Sequence, residues 1–199
     1  MRAFKKNGEN NMEMHLQTPL SLGVLQTLRA GDSVLLSGEI YTARDAAHKR
    51  MFELLAQGKP LPFAIQGACV YYAGPTPARP GETVGSIGPT TAGRMDKYTP
   101  ALLQQGLAAM VGKGARSAAV LQAMQRAGAV YFGFIGGAGA LAAACVIGCE
   151  TIAWEDLGSE AVRRLTVEKL PLTVLADAVG GNLYQDGPAA YLASLKEQE

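Results

Sequence analysis

The chain has 199 residues, with 18 Lys and Arg against 17 Asp and Glu, for a net charge of +1. Apolar residues at 48% and charged residues at 18% supply the surface for one folded domain and exclude disorder over most of the length. The near-neutral balance offers no concentrated basic face, which excludes nucleic acid as the expected partner.

Residues 1–14 are polar and aperiodic and are expected to form a flexible arm, leaving a single domain over residues 15–199. Apolar positions from Leu16 to Leu28 lead into a turn at Ala30-Gly31-Asp32, and residues 33–41 then read as a strand bounded by turn residues. At Asp45 the period changes. Ala47, Met51, Leu54 and Leu55 share one helical face, and the run stops at Gly58 with Pro60 beyond. Residues 68–72 read as a short buried strand, Gly74-Pro75 and Pro80-Gly81 as turns, and residues 83–87 as a further strand. Residues 107–111 are expected to form a strand ending at Gly112-Lys113-Gly114, followed by a helix over 117–127. The alternation continues with a strand at 130–135, a small-residue helix at 138–144, and strands at 151–154, 161–167 and 172–176. Strands alternating with helices predict an α/β domain with a parallel or mixed sheet.

The start, MRAFKKNGEN, lacks the apolar stretch of a secretory signal, and glycines interrupt the longest apolar run, residues 129–147, before it could span a bilayer. A domain of this size needs no disulfide staples, so a reducing, cytoplasmic setting with no membrane attachment is expected. Cys69, Cys145 and Cys149 lie in apolar stretches and are expected to be structural thiols. His15 and His48 are too few for a multi-histidine metal site, so no metal ligand set is expected in this chain.

Glycine is abundant, 24 of 199 residues, which directs attention to tight loops. Four polar clusters interrupt the apolar chain. In the first, Thr42-Ala43-Arg44-Asp45-Ala46-Ala47-His48, Arg44 and His48 are four apart and share a helix face. In the second, Gly88-Pro89-Thr90-Thr91-Ala92-Gly93-Arg94-Met95-Asp96, two hydroxyls are expected at a helix N-terminus with Arg94 one turn on. The third is Gly112-Lys113-Gly114 and the fourth Gly136-Gly137-Ala138-Gly139. Neither glycine loop has the spacing of a P-loop or a dinucleotide fingerprint. Fixed cations beside strand ends suit a small anion, above all one with two carboxylates, because arginine grips a carboxylate with two parallel hydrogen bonds. Arg50, Arg79, Arg116, Arg126, Arg163 and Arg164 are expected to be solvated or salt-bridged surface groups. Taken alone, the chain shows no complete acid-base pair, and a non-catalytic small-anion binding module is the reading from a different class.

These clusters in this order, together with Gly74-Pro75 and Trp154-Glu155-Asp156-Leu157-Gly158, resemble the β-type subunit of the iron-sulfur hydro-lyases, the family of class I fumarases and L-tartrate dehydratases. The resemblance runs from about Gln17 to Tyr184. It implies a swivelling β/β/α three-layer domain, equivalent to the C-terminal domain of single-chain class I fumarases. It also implies a four-iron four-sulfur cluster ligated by a partner α-type subunit and not by this chain, in a hetero-oligomer acting on a small dicarboxylate. Carried over residue by residue, it makes Thr90, Arg94 and Lys113 catalytic and places Arg44, Asp45, His48 and Thr91 around the substrate. In that picture Arg94 and Lys113 stabilise the charge that builds as a proton leaves carbon, and Thr90 is the base or proton relay. The leading expectation is the β subunit of a two-subunit fumarate hydratase, with L-tartrate dehydratase or a related hydroxy-diacid hydro-lyase as the alternative.

Overall fold

Side chains alternate between the two faces of each strand, so a sheet with both faces covered builds two cores. The computed structural model describes residues 14–196; the expected arm lies outside them except for Met14, which opens the first strand. The strands are β1 (Met14–Gln17), β2 (Ser33–Thr42), β3 (Cys69–Tyr71), β4 (Ala109–Gly112), β5 (Val130–Gly133), β6 (Val146–Ala153) and β7 (Val162–Ala176). The helices are α1 (Leu22–Leu25), α2 (Asp45–Ala56), α3 (Thr99–Gln104), α4 (Ala118–Ala127), α5 (Gly139–Ala144) and α6 (Leu183–Lys196).

The strand order is β1-β2-β3-β4-β5-β7-β6, and β2 also pairs with β7, so β2, β3, β4, β5 and β7 close on themselves like a barrel. Neighbours from β1 to β5 are parallel, whereas β7 runs antiparallel to β2, β5 and β6. This is the α/β, mixed-sheet architecture expected from the sequence, in a form compatible with a swivelling β/β/α domain. Cys69, Tyr71, Val111, Val130 and Phe132 point to one core with Leu36, Ile40, Leu165 and Val174. Their alternates Val70, Tyr72, Met110 and Tyr131 point to the other, beneath Ala47 and Met51 of α2, Leu102 and Leu103 of α3, and Val120 and Met124 of α4.

The helix ends follow local chemistry. Ser117 accepts from the amide of Val120 at the start of α4, and Gly128 closes that helix in the left-handed region at φ 68°. No helix among the described residues is long and apolar enough to cross a membrane.

Several expectations are corrected. Residues 83–87 form no strand; they belong to an extended connection tied by the Ile87 amide to the Gly139 carbonyl and by the Tyr71 hydroxyl to the Ile87 carbonyl. The separate strands expected at 161–167 and 172–176 are one strand, β7. Its polar Glu168-Lys169 segment bulges where the pairing shifts between Leu36 and Gly38, and the Lys169 amide donates to the Ser37 hydroxyl. The strand expected at 151–154 is the end of the longer β6.

The direction of the strands places the site. Because β2 to β5 are parallel, their carboxyl ends gather at one edge, where ligands bind in open α/β sheets. Antiparallel β7 begins at that same edge, which brings the turn over residues 154–161 beside the end of β2.

Candidate active site

At the end of β2, Ala43 donates to the Tyr71 carbonyl and Arg44 occupies the N-cap of α2 without a side-chain cap bond. Glu160, arriving from the turn before β7, supplies that cap: one carboxylate oxygen accepts from the Ala46 amide at 3.0 Å and the other lies 3.2 Å from Arg44 Nη2. Asp45, in the first turn of α2, has its Oδ2 3.8 Å from Arg44 Nη2 and 4.0 Å from Arg94 Nη1. Arg44, Asp45 and Arg94 therefore form one charged cluster on the rim. Arg44 Nε and Asp45 Oδ2 are buried without hydrogen-bond partners. Gly74 makes this approach possible, since a Cβ there would lie 2.6 Å from the Ser159 carbonyl oxygen and 3.3 Å from Arg44 Cδ.

His48 lies beneath the rim, fully buried. Its Nδ1 is 2.9 Å from the Arg44 carbonyl oxygen, which can only accept, so Nδ1 carries the proton and Nε2 is a bare lone pair with no partner. The ring packs edge-on against Tyr72 at 5.3 Å. Burial pushes its pKa down to about 4, which keeps it neutral at neutral pH. Its contact with the site runs through the Arg44 backbone.

The second half of the site is backbone-built. Thr90 donates its amide to the Tyr72 carbonyl at 2.7 Å, Lys113 donates to the Thr90 carbonyl at 3.2 Å, and Ala92 donates to the Lys113 carbonyl at 2.9 Å. Thr90, Thr91 and Lys113 thus sit on adjoining strands of chain. Among the described residues the Thr90 hydroxyl makes no hydrogen bond. Thr91 is exposed at the N-cap of a 3₁₀ turn, Ala92–Met95, again without a side-chain cap bond. The helix N-terminus expected here is this single turn, and its first amide is already given to Lys113. The exposed Lys113 side chain lies along Gly136, where a Cβ would come within 3.4 Å of Nζ, so the third and fourth glycine clusters meet. Arg94 is half-exposed.

Arg116 overturns its expected surface role. It is buried, with Nε 2.7 Å from Asp96 Oδ1, Nη2 2.9 Å from the Thr99 hydroxyl and Nη1 3.4 Å from the Tyr72 hydroxyl. Its guanidinium stands 5.3 Å from the Tyr72 ring centroid and 5.0 Å from that of Tyr131. Arg50 and Arg164 are surface ion-pair members as expected, Arg50 with Asp156 at 2.8 Å and Arg164 with Glu150. Sequence reasoning missed Glu160 and the Arg116–Asp96 pair. Glu160 lies two residues past the Trp154–Gly158 motif, and nothing local marks it as a cap for a helix more than 100 positions earlier.

The chain's own residues do not fit an iron-sulfur cluster. Cys69 sits in the barrel core, where burial pushes its thiol up to about 12, whereas a metal ligand must be a thiolate. Burial also raises Cys145 and Cys149. Among the described residues no three His, Cys, Asp or Glu are grouped to hold a metal ion. A surface groove of about 500 Å³ lies elsewhere, between residues 76–86 and α5, and touches none of the rim residues.

Residues 2–187 match the family described as Fumarase C-terminus. The chain belongs to that family. It is 41% identical over 187 residues to the anaerobic class I fumarate hydratase of Escherichia coli, which covers 92% of this chain and 34% of that protein. It is 43% identical over 152 residues to the mitochondrial fumarate hydratase 1 of Leishmania major, covering 75% of this chain and 28% of the relative. To the β subunit of the L(+)-tartrate dehydratase of E. coli it is 33% identical over 177 residues, 86% of this chain and 87% of that subunit. The chain spans about a third of the length of the fumarate hydratases it matches. Membership in the Fumarase C-terminus family agrees with the six ordered motifs read from the sequence, whose residues the fold gathers at one edge of the sheet.

Proposed function

We propose that this chain is the β-type half of a class I fumarate hydratase, adding water reversibly across the double bond of fumarate to give L-malate. It works with an α-type subunit that carries the four-iron four-sulfur cluster, whose chemistry is Lewis-acid activation of the departing or arriving hydroxyl. The observation that carries this reading is the rim itself. Arg44 and Arg94 flank one carboxylate within 4.0 Å, Lys113 and the uncommitted Thr90 hydroxyl adjoin them through the chain, and the set lies on an exposed edge.

Each residue then has a task. Arg44 and Arg94 bind the substrate carboxylates through paired N–H donors, displacing the loose contacts they make with Asp45. Lys113 and Arg94 stabilise the negative charge that builds on the carboxylate next to the carbon losing its proton. Thr90 Oγ moves that proton; a hydroxyl is a weak base, so the step needs the adjacent cations and a site closed to water by the α-type partner. Thr91 borders the substrate, and His48 fixes the Arg44 backbone from below.

The higher identity to the fumarate hydratases supports fumarate as substrate, and the match along 87% of a tartrate dehydratase β subunit supports a separate α partner. The test is an anaerobic assay of this chain alone and mixed with its reconstituted α-type subunit, on fumarate and on L-tartrate. Fumarate hydration only in the mixture is expected. Faster turnover of tartrate than of malate would move the assignment to the tartrate enzyme, an assembled mixture inactive on both would overturn the fumarase reading in favour of another hydroxy-diacid, and failure of the two chains to associate would favour the small-anion binding module.

A further inference from the structure

We propose that Arg116 is a positioning residue, a buried clamp that sets the Thr90–Arg94 segment against Lys113; for its kinetic readout the inference rests on the proposed hydro-lyase function. The side chain is 1% exposed and lies three residues after Lys113. Its three nitrogens reach two segments, residues 96–99 and Tyr72. Nε holds Asp96, two residues after Arg94; Nη2 holds Thr99, whose hydroxyl donates to the Met95 carbonyl at 2.9 Å; Nη1 reaches Tyr72, whose carbonyl holds the Thr90 amide.

Two further bonds tighten the clamp. The second oxygen of Asp96 accepts from the Ser117 amide at 2.7 Å, so the carboxylate is tied both to the Arg116 side chain and to the chain just beyond it. The Tyr131 hydroxyl donates to the Gly114 carbonyl at 3.0 Å and pins the chain between Lys113 and Arg116. The 3₁₀ turn carrying Arg94 is thus fixed at its start by the Lys113 carbonyl and at its end by Asp96, held by Arg116, and by Thr99, which Arg116 holds and which donates to the Met95 carbonyl. A buried guanidinium that merely filled the core could be satisfied by any acceptors. Here two of its bonds go to Asp96 and Thr99, two and five residues past Arg94, and the third to Tyr72, whose carbonyl holds the Thr90 amide. Lysine cannot reproduce the arrangement, because one ammonium lacks the planar fork that serves Asp96 and Thr99 together.

The experiment uses the assembled enzyme carrying Arg116→Lys or Arg116→Gln, with Arg126→Ala on the exposed face of α4 as control. Two quantities are read: kcat/KM per folded molecule, and amide hydrogen exchange by segment. For Arg116→Lys, kcat/KM is expected to fall by about 10- to 100-fold, the scale of a displacement near 1 Å at a reacting centre. Exchange is expected to accelerate in residues 88–97 and 111–117 while β2 and β7 keep their protection. Should Arg116→Gln fail to fold, Arg116→Lys carries the test. Unchanged exchange in those two segments, or a uniform rise along the whole chain, would overturn the clamp, as would a normal kcat/KM in a folded variant. Exchange is read whatever the protein turns over. A wild-type assembly inactive on fumarate and tartrate therefore counts against the functional reading alone.

Discussion

Arg116 and Arg44 lie at the same end of the sheet and are treated in opposite ways. Arg116 has 1% of its side chain exposed and each of its nitrogens faces a partner; Arg44 has 24% exposed, an ion pair with Glu160 at 3.2 Å through Nη2 alone, a distant Asp45 at 3.8 Å and a buried Nε with no partner. A buried charge whose donors are all engaged has nothing left for a ligand and serves to hold the fold. A partly exposed guanidinium with unmet donors, beside an under-satisfied carboxylate, has capacity for a charged group from outside. The contrast separates frame from site at one edge of the sheet.

The largest effect is expected from breaking the frame. Asp96→Ala leaves the Arg116 charge buried and uncompensated and should lower unfolding free energy by about 3–5 kcal/mol, read by urea denaturation. A loss below about 1 kcal/mol would place Arg116 with the surface arginines after all. Breaking the rim should act on turnover instead. Arg94→Ala and Thr90→Ala are each expected to reduce kcat of the assembled enzyme by about 10²–10³-fold while stability stays within about 0.5 kcal/mol of wild type. Near-normal rates would remove these residues from the site.

The pH dependence of stability sharpens the comparison from below the rim. Folded His48 stays neutral down to about pH 4, whereas the unfolded residue takes up its proton near 6.5. The unfolded chain therefore binds more protons between these values. His48 contributes its full stability above pH 6.5 and loses on the order of 3 kcal/mol of it as pH falls to 4. In His48→Phe the slope of unfolding free energy over this window should flatten relative to wild type; equal slopes would mean His48 is not buried neutral. The smallest effect belongs to the exposed Arg50–Asp156 pair. Arg50→Ala should leave the thermal midpoint unchanged within error, since solvent screens such pairs.

Much of this was legible in the sequence, for identifiable reasons. α2 and α4 announce themselves by apolar periodicity and by Gly58, Ser117 and Gly128, and β3 and β5 by short apolar runs between turns. The rim residues stood out as charges at the ends of apolar strands. Other elements carry weak or misleading local signals. β1 and α3 are only four and six residues long. α6 runs through Gly187 and Pro188, residue types that disfavour a helix interior, and no element is expected there from the sequence. β7 continues past Glu168, Lys169 and Pro171 because β2 pairs along nearly its whole length and absorbs the irregularity in a bulge. Glu160 and Arg116 act through partners distant in sequence, and only the closed sheet brings those partners to them.

The central claim is that the strand-end rim is a dicarboxylate site. Its most direct test is an anaerobic structure of the assembled enzyme with L-malate bound. The account predicts malate carboxylate oxygens within hydrogen-bond distance of Arg44, Arg94 and Lys113, with the Thr90 hydroxyl beside the carbon that exchanges its proton. Malate held away from these residues, or bound only in the groove between residues 76–86 and α5, would contradict it.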